Sequence, residues 1–203
     1  MPDQTVFIVD DDQAVREALG ALLAAKRYKV ETFASAEDFL AALQPGRTGC
    51  LVADVRMAGM SGLDLQRELG RRGQPIPTVI ITGHGDVPLA VAALKAGAVD
   101  FLEKPFDSDA ILASIEDSLR RAARRPETGF DHAEIAARAA GLSAREREVM
   151  DLVVAGHPNK GVAHRLGIAI RTVEIHRARV MEKLGARNLS ELVRMAILLE
   201  NAR

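Results

Sequence analysis

Apolar positions in the first 124 residues follow two alternating rhythms. Short unbroken runs, such as Thr5-Val6-Phe7-Ile8-Val9, Cys50-Leu51-Val52-Ala53 and Thr78-Val79-Ile80-Ile81, are apolar on both faces and have the length of buried strands. With two more mixed stretches, strands are expected at roughly 5–10, 29–33, 50–54, 78–82 and 99–103. Between them the spacing turns helical, at roughly 13–26, 36–43, 62–71, 87–96 and 108–124. Five strands alternating with five helices predict a parallel, doubly wound sheet, with right-handed crossovers placing helices on both faces. Ser35, three residues ahead of Asp38, has the spacing of a capping box. Ser61 and Asp86 are caps for the third and fourth helices, Pro88 fits a first turn, and Gly97 ends the fourth helix.

From Leu142 onward the pattern is helical only. Ser143-Ala144-Arg145-Glu146 opens a helix that turns Val149, Leu152 and Val153 inward and ends at Gly156. A short helix from Pro158 buries Val162, Ala163 and Leu166 before Gly167 turns the chain. The next, at about 171–184, has Val173, Val180 and Leu184 on its core face and a final one covers about 189–200. The two regions are joined at residues 125–141. Pro126-Glu127-Thr128-Gly129 breaks the fifth helix, and 131–140 reads as a short amphipathic helix. The expected division is therefore 3–124, a linker at 125–141, and 142–203.

Charge sharpens this division. Residues 1–122 carry 13 Lys+Arg against 18 Asp+Glu, whereas 123–203 carry 14 against 10. An acidic half joined to a basic half suggests two tasks, the basic one being a candidate for nucleic acid. The single cysteine, Cys50, lies in an apolar run and reads as core, and no internal disulfide can form. No stretch is long and apolar enough to span a bilayer and no signal peptide is visible, so a cytoplasmic protein without membrane partners is expected.

The candidate chemistry sits at the carboxyl edge of the sheet. Asp54 ends the third strand and Asp10, Asp11 and Asp12 end the first. Open α/β sheets gather ligands at that edge. Clustered carboxylates repel unless something positive lies between them, and a hard divalent cation held by oxygens, Mg²⁺ above all, resolves this. Thr82 ends the fourth strand and Lys104 follows the fifth. Acids, a hydroxyl and an amine together suit a phosphoryl group received on a carboxylate. Alone, a strand-end Asp is ordinarily a turn residue or a cap, and Asp12 is better read as the cap of the first helix than as a third metal ligand. His84, flanked by glycines, reads as structural.

Val9-Asp10-Asp11-Asp12, Asp54 with Met60-Ser61-Gly62, Ile81-Thr82-Gly83-His84-Gly85-Asp86 and Phe101-Leu102-Glu103-Lys104-Pro105-Phe106 resemble a response-regulator receiver domain of the FixJ type, a flavodoxin-like fold, over about 3–124. The resemblance implies that Asp54 is the phosphoacceptor and that Asp10, Asp11, Asp54 and the backbone carbonyl of Arg56 hold Mg²⁺. It further implies that Thr82 binds the phosphoryl oxygen, Lys104 pairs with aspartate or phosphate, and Phe101 is the aromatic switch residue. The departure is Ala58, where many relatives have proline; a more flexible loop is expected.

Leu142-Ser143-Ala144-Arg145-Glu146, Gly156-His157-Pro158-Asn159-Lys160, Thr172-Val173-Glu174-Ile175-His176-Arg177 and Lys183-Leu184 likewise resemble a LuxR-type helix-turn-helix domain, an all-α four-helix unit. In that architecture Lys160, Arg171, Thr172, His176, Arg177 and Arg179 serve mainly phosphates, while Glu174, Ile175 and Ala178 face base edges. Leu192, Val193, Ala196 and Ile197 are candidates for a dimer contact. Ala169 replaces the serine that relatives carry as a cap. The function so implied is a non-enzymatic response regulator that a sensor histidine kinase phosphorylates, which then dimerises and binds double-stranded DNA, with RNA polymerase a candidate further partner. Two other functions compete: a receiver acting as a phosphorylation-independent interaction module, and a turnover enzyme using the carboxylate cluster.

Overall fold

The computed structural model describes residues 5–83, 87–123 and 132–200. The elements in chain order are β1 (Thr5–Val9), α1 (Gln13–Ala25), β2 (Lys29–Phe33), α2 (Ala36–Ala42), β3 (Gly49–Asp54), α3 (Gly62–Arg71), β4 (Thr78–Thr82), α4 (Val87–Lys95), β5 (Asp100–Glu103) and α5 (Ser108–Ala123). There follow α6 (His132–Ala140), α7 (Ala144–Val154), α8 (Asn159–Leu166), α9 (Ile170–Leu184) and α10 (Leu189–Glu200). They form two compact units, Met1–Gly85 with Ala96–Glu127, and Asp86–Lys95 with Thr128–Arg203. The expected cap Asp86, the loop residue His84 and the chain break at Pro126–Gly129 lie outside the described residues.

The first unit is a parallel sheet ordered β2-β1-β3-β4-β5. Val6, Ile8, Cys50, Val52, Val79 and Ile81 project to one face, where Leu19 and Leu23 of α1 and Ile111, Ile115 and Leu119 of α5 cover them. The intervening residues, such as Phe7, Leu51 and Ile80, are equally buried, which is why these strands read as unbroken apolar runs. Phe7 meets Phe39 of α2 with ring centroids 5.3 Å apart. The register sets β1, β3 and β4 side by side, pairing Val9 with Ala53 and Asp54 with Ile81. The strand ends carrying Asp10, Asp54 and Thr82 are thereby brought to one edge. Asp12 caps α1 by accepting from the Ala14 N–H, and Ser35 and Ser61 cap α2 and α3.

In the second unit α9 packs on α6, α7 and α8, and α10 packs on α6 and α7. The four expected helices are α7–α10, and α6 joins them by burying Ile135 and Ala139, one helical turn apart. Val173, Val180 and Leu184 are fully enclosed, as their spacing predicts. Helix α7 is rotated from expectation: Val149, Met150, Val153 and Val154 are buried while Leu152 is half-buried, and in α8 Leu166 is half-buried too. Gly167 closes α8 in the left-handed conformation, with φ +63°, which favours glycine. Ala169 stands at the N-cap of α9 and makes no side-chain hydrogen bond there, as the missing serine implies.

Candidate functional site

Three of the predicted groups meet at the sheet edge. Asp54 is 5% exposed and Asp10 is 1% exposed. The Lys104 ammonium donates to both, at 2.7 Å to Asp10 Oδ2 and 2.8 Å to Asp54 Oδ1. The other Asp54 oxygen accepts from the Arg56 N–H at 2.7 Å. Burial pushes the Asp54 carboxyl up; Lys104 opposes this, the Asp10 charge adds to it, and the net shift is upward. Burial also pulls Lys104 down, but its bonds to Asp10 and Asp54 outweigh that and hold the ammonium above its ordinary value. The Lys104–Pro105 peptide is cis.

The remaining predicted groups frame this centre. Thr82 is fully buried at the end of β4, and its carbonyl accepts from the Lys104 N–H at 2.7 Å. Phe101 is half-buried on β5, opposite Ile80. Asp11 is exposed and accepts from the Ala58 N–H at 3.2 Å. That N–H is one that proline lacks, so the departure at position 58 supplies a bond. Glu37 of α2 holds the same loop by accepting from the Met60 N–H at 3.0 Å. Arg16 of α1 donates to the Asp10 carbonyl at 2.6 Å. Neither Glu37 nor Arg16 stands out in sequence, because each acts through backbone groups that spacing does not reveal. Gly62 has a clear role: a Cβ there would collide with the Asp54 carbonyl, so glycine lets α3 start against the end of β3.

Among the described residues no three His, Cys, Asp or Glu side chains stand together as a metal cage. Asp11 is turned to Ala58, and Asp10 and Asp54 are bridged by Lys104. The donor set nevertheless suits Mg²⁺. The groups are hard oxygens, and Mg²⁺ usually takes one or two carboxylates and keeps several waters.

In the second unit, Lys160, Arg171, Glu174, Ile175, Ala178 and Arg179 are exposed, while Thr172, His176 and Arg177 are half-buried. Arg177 is the main departure among the expected phosphate contacts. Its guanidinium donates to Asn159 Oδ1 at 2.7 Å, tying α9 to the start of α8, and burial lowers its pKa. The expected dimer residues also differ. Leu192, Val193 and Ala196 are 1%, 0% and 4% exposed within the single chain, so here they serve its own core; Ile197 is half-buried. An apolar helix face reads the same in sequence whether its own chain or a second copy covers it.

Several arginines have roles that charge alone hides. Arg138, Arg145 and Arg147 donate to the carbonyls of Leu184, Leu166 and Ala139, at or next to the ends of α9, α8 and α6. They satisfy acceptors that helix ends leave open. Glu146, 3% exposed, completes the capping box with Ser143 and receives Lys183 at 2.6 Å. Lys183 first, then the Ser143 N–H, hold its carboxyl down to about 2.

Comparison with known proteins agrees with both halves. The family described as "Response regulator receiver domain" matches residues 6–116, and "Bacterial regulatory proteins, luxR family" matches residues 140–196. The transcriptional regulatory protein FixJ of Azorhizobium caulinodans is 51% identical over 199 residues, covering 98% of this chain and 94% of that protein. FixJ of Rhizobium meliloti is 49% identical, covering 97% of each. Full-length FixJ from B. japonicum matches in structure with a TM-score of 0.56 and 45% identity, over 99% of both chains. The chain therefore belongs to the FixJ-type response regulators, transcriptional regulators of two-component systems that join a receiver domain to a LuxR-type DNA-binding domain.

Proposed function

We propose that Asp54 accepts a phosphoryl group from a sensor histidine kinase and that this event governs DNA binding by α9. The observation that carries the reading is the buried Asp54 carboxylate, held between the Lys104 ammonium and the Arg56 N–H beside Asp10. One Asp54 oxygen attacks phosphorus; an O–P bond forms, the donor's N–P bond breaks, and the histidine takes the electron pair and a proton. Asp10, Asp11, Asp54 and the Arg56 carbonyl are the groups that would hold Mg²⁺, which supplies positive charge to the phosphoryl oxygens when bound. Lys104 already lies at the Asp54 oxygen and can follow the charge onto the phosphoryl group. Thr82 takes a phosphoryl oxygen, and Phe101, half-buried on the neighbouring strand, reports the change to the surface.

Dimerisation of the phosphorylated chain then raises affinity for paired half-sites on double-stranded DNA. RNA polymerase is a further partner of such a regulator, and its setting is the cytoplasm. Among the described residues no helix is long and apolar enough to cross a membrane. Acetyl phosphate with Mg²⁺ tests the reading. The wild-type chain should gain one acid-stable, base-labile phosphoryl group and Asp54→Asn none; undiminished labelling of the variant would refute the assignment. Failure of the wild type to label, with DNA binding intact, would favour a phosphorylation-independent receiver.

A further inference from the structure

Ile170 and Ile175 are the large apolar side chains left exposed among the described residues, at 46% and 45%. A single exposed apolar residue needs no explanation, but these two share one helix. They also share one side of it. At 100° per residue, Ile170, Arg171, Glu174, Ile175, Ala178, Arg179 and Glu182 fall within one half-turn of the α9 surface. All seven are exposed, whereas Val173, Val180 and Leu184 form the opposite, buried side. Apart from Ala178 the rest of the face is charged: Arg171 and Arg179 are matched by Glu174 and Glu182, and exposed Lys160 on α8 adds a further cation to the helix-turn-helix.

The place of α9 in the fold points to the occupant. It is the second helix of a helix-turn-helix, the one that enters the major groove of a duplex, and its exposed Arg171 and Arg179 with Lys160 of α8 are cations that phosphates can meet. The N-terminal residues of such a helix reach base edges. Ile170 is the first residue of α9 and follows an N-cap that makes no side-chain hydrogen bond. It brings no donor or acceptor to a groove edge. The apolar group that the major groove presents is the thymine C5-methyl. We propose that Ile170 reads a thymine methyl at one position of the half-site, separate from the base edge that Ile175 meets. The proposal rests on the assignment of α9 as the helix that enters DNA.

Deoxyuridine supplies the test, because it lacks only that methyl. Preferred duplexes are first selected from a random pool with the full-length chain treated with acetyl phosphate and Mg²⁺. Each thymine is then replaced singly by deoxyuridine, and binding is read by fluorescence anisotropy. The wild type should weaken about fourfold at the thymine that Ile170 meets, the factor one buried methyl-sized group supplies. Ile170→Ala should lose that penalty alone and keep every other, while Ile170→Val should retain most of it. Ile170→Ala should keep the wild-type circular dichroism and melting midpoint, since the side chain is half-exposed. A scan for Ile170→Ala that matches the wild type at every thymine would overturn the proposal. Enrichment of no sequence at all would overturn the DNA-binding assignment itself. An unchanged scan with weaker self-association by light scattering would give the isoleucine to a second copy of the chain instead.

Discussion

Buried charge is handled in opposite ways by the two units. At the sheet edge of the first, two carboxylates share one ammonium: Asp10 and Asp54 both lean on Lys104, and the net shift at Asp54 is upward. One positive group serving two nearly buried negative ones leaves a centre where an added charge is felt at once. In the second unit the buried acids are closed off. Glu146 is held by Lys183 and the Ser143 N–H, and Glu191, 4% exposed, by Arg187 and the Asn188-capped start of α10. Such pairs set helix positions and have no charge left to respond with. A responsive site is therefore marked by unequal charge at close range, and a structural one by matched charge.

Lys104→Ala breaks the comparison most severely. It leaves Asp10 and Asp54 facing each other without a cation. Removing one partner of a buried pair costs about 3–5 kcal/mol, and the 21% exposure of the Lys104 side chain brings the expected loss nearer ~2–3 kcal/mol. Urea unfolding followed in metal-free buffer should show it. Millimolar Mg²⁺ should restore most of the stability, since two freed carboxylates are hard oxygen donors suited to such an ion, yet labelling by acetyl phosphate should stay far below wild type. If the variant unfolds at the wild-type midpoint without Mg²⁺, the shared ammonium is not what holds the two acids together.

Glu146 tests the closed pairs. Its folded pKa of about 2 lies below the ordinary 4.5. A lowered folded value adds stability that is present above the unfolded pKa and lost as pH falls through the folded one. Unfolding of the wild type should therefore weaken between about pH 4.5 and pH 2 through this group. Glu146→Gln should be less stable at neutral pH and show a shallower slope across that window. An identical slope in the two proteins would mean that Glu146 is solvated and the Lys183 bond adds nothing.

These contrasts also explain what could be read in the chain. Strand-end acids were legible because a parallel sheet fixes where strand ends go: once Thr5–Val9 and Cys50–Asp54 are neighbours, Asp10 and Asp54 must meet. The core of α9 was legible from its helical spacing, while in α8 Val162 and Ala163 are buried as expected and Leu166 only half so. What stayed hidden depends on side chains bonding to backbone. Arg138, Arg145 and Arg147 look like surface cations in sequence, but each finds an open helix-end carbonyl. Asp11 reads as a ligand beside Asp10, and nothing in its spacing reveals the bond it accepts from the Ala58 N–H. Arg177 looks like a phosphate contact and ties two helices. Long flexible side chains have several partners within reach, and only the fold chooses among them.

Changing Lys160 should have a smaller and more uniform effect than changing Lys104 or Glu146. It is exposed on α8. A cation that meets a phosphate releases counterions, so log K falls with log salt by about 0.9 per contact. Lys160→Ala should weaken binding to all sequences alike and flatten that slope by about one. Arg177→Ala should instead lower the melting midpoint, because its guanidinium is bonded to Asn159. A full unit lost from the salt slope in Arg177→Ala, with no change in melting, would return that residue to the phosphates.

The smallest effect on overall stability and affinity is expected at Glu174. Its carboxylate stands 3.5 Å from Arg171, three residues earlier on α9, and the side chains are 46% and 84% exposed. An exposed helical pair of this kind is worth about 0.2–0.5 kcal/mol, so Glu174→Ala should hardly move the melting midpoint. It should also leave the salt slope nearly unchanged, since a carboxylate neutralises no phosphate. Base preference is where the loss should appear. A carboxylate on the exposed side of α9 can accept from a cytosine amino group if that side enters the groove, and losing such a bond should relax one position by roughly 1–3 kcal/mol. The pair with Arg171 does not compete with this role, because both side chains stay largely exposed. Competition binding with randomised half-sites separates the two uses of one side chain. If the variant keeps every base preference, Glu174 does no more than steady Arg171, and sequence reading passes to the apolar and small residues of the same face.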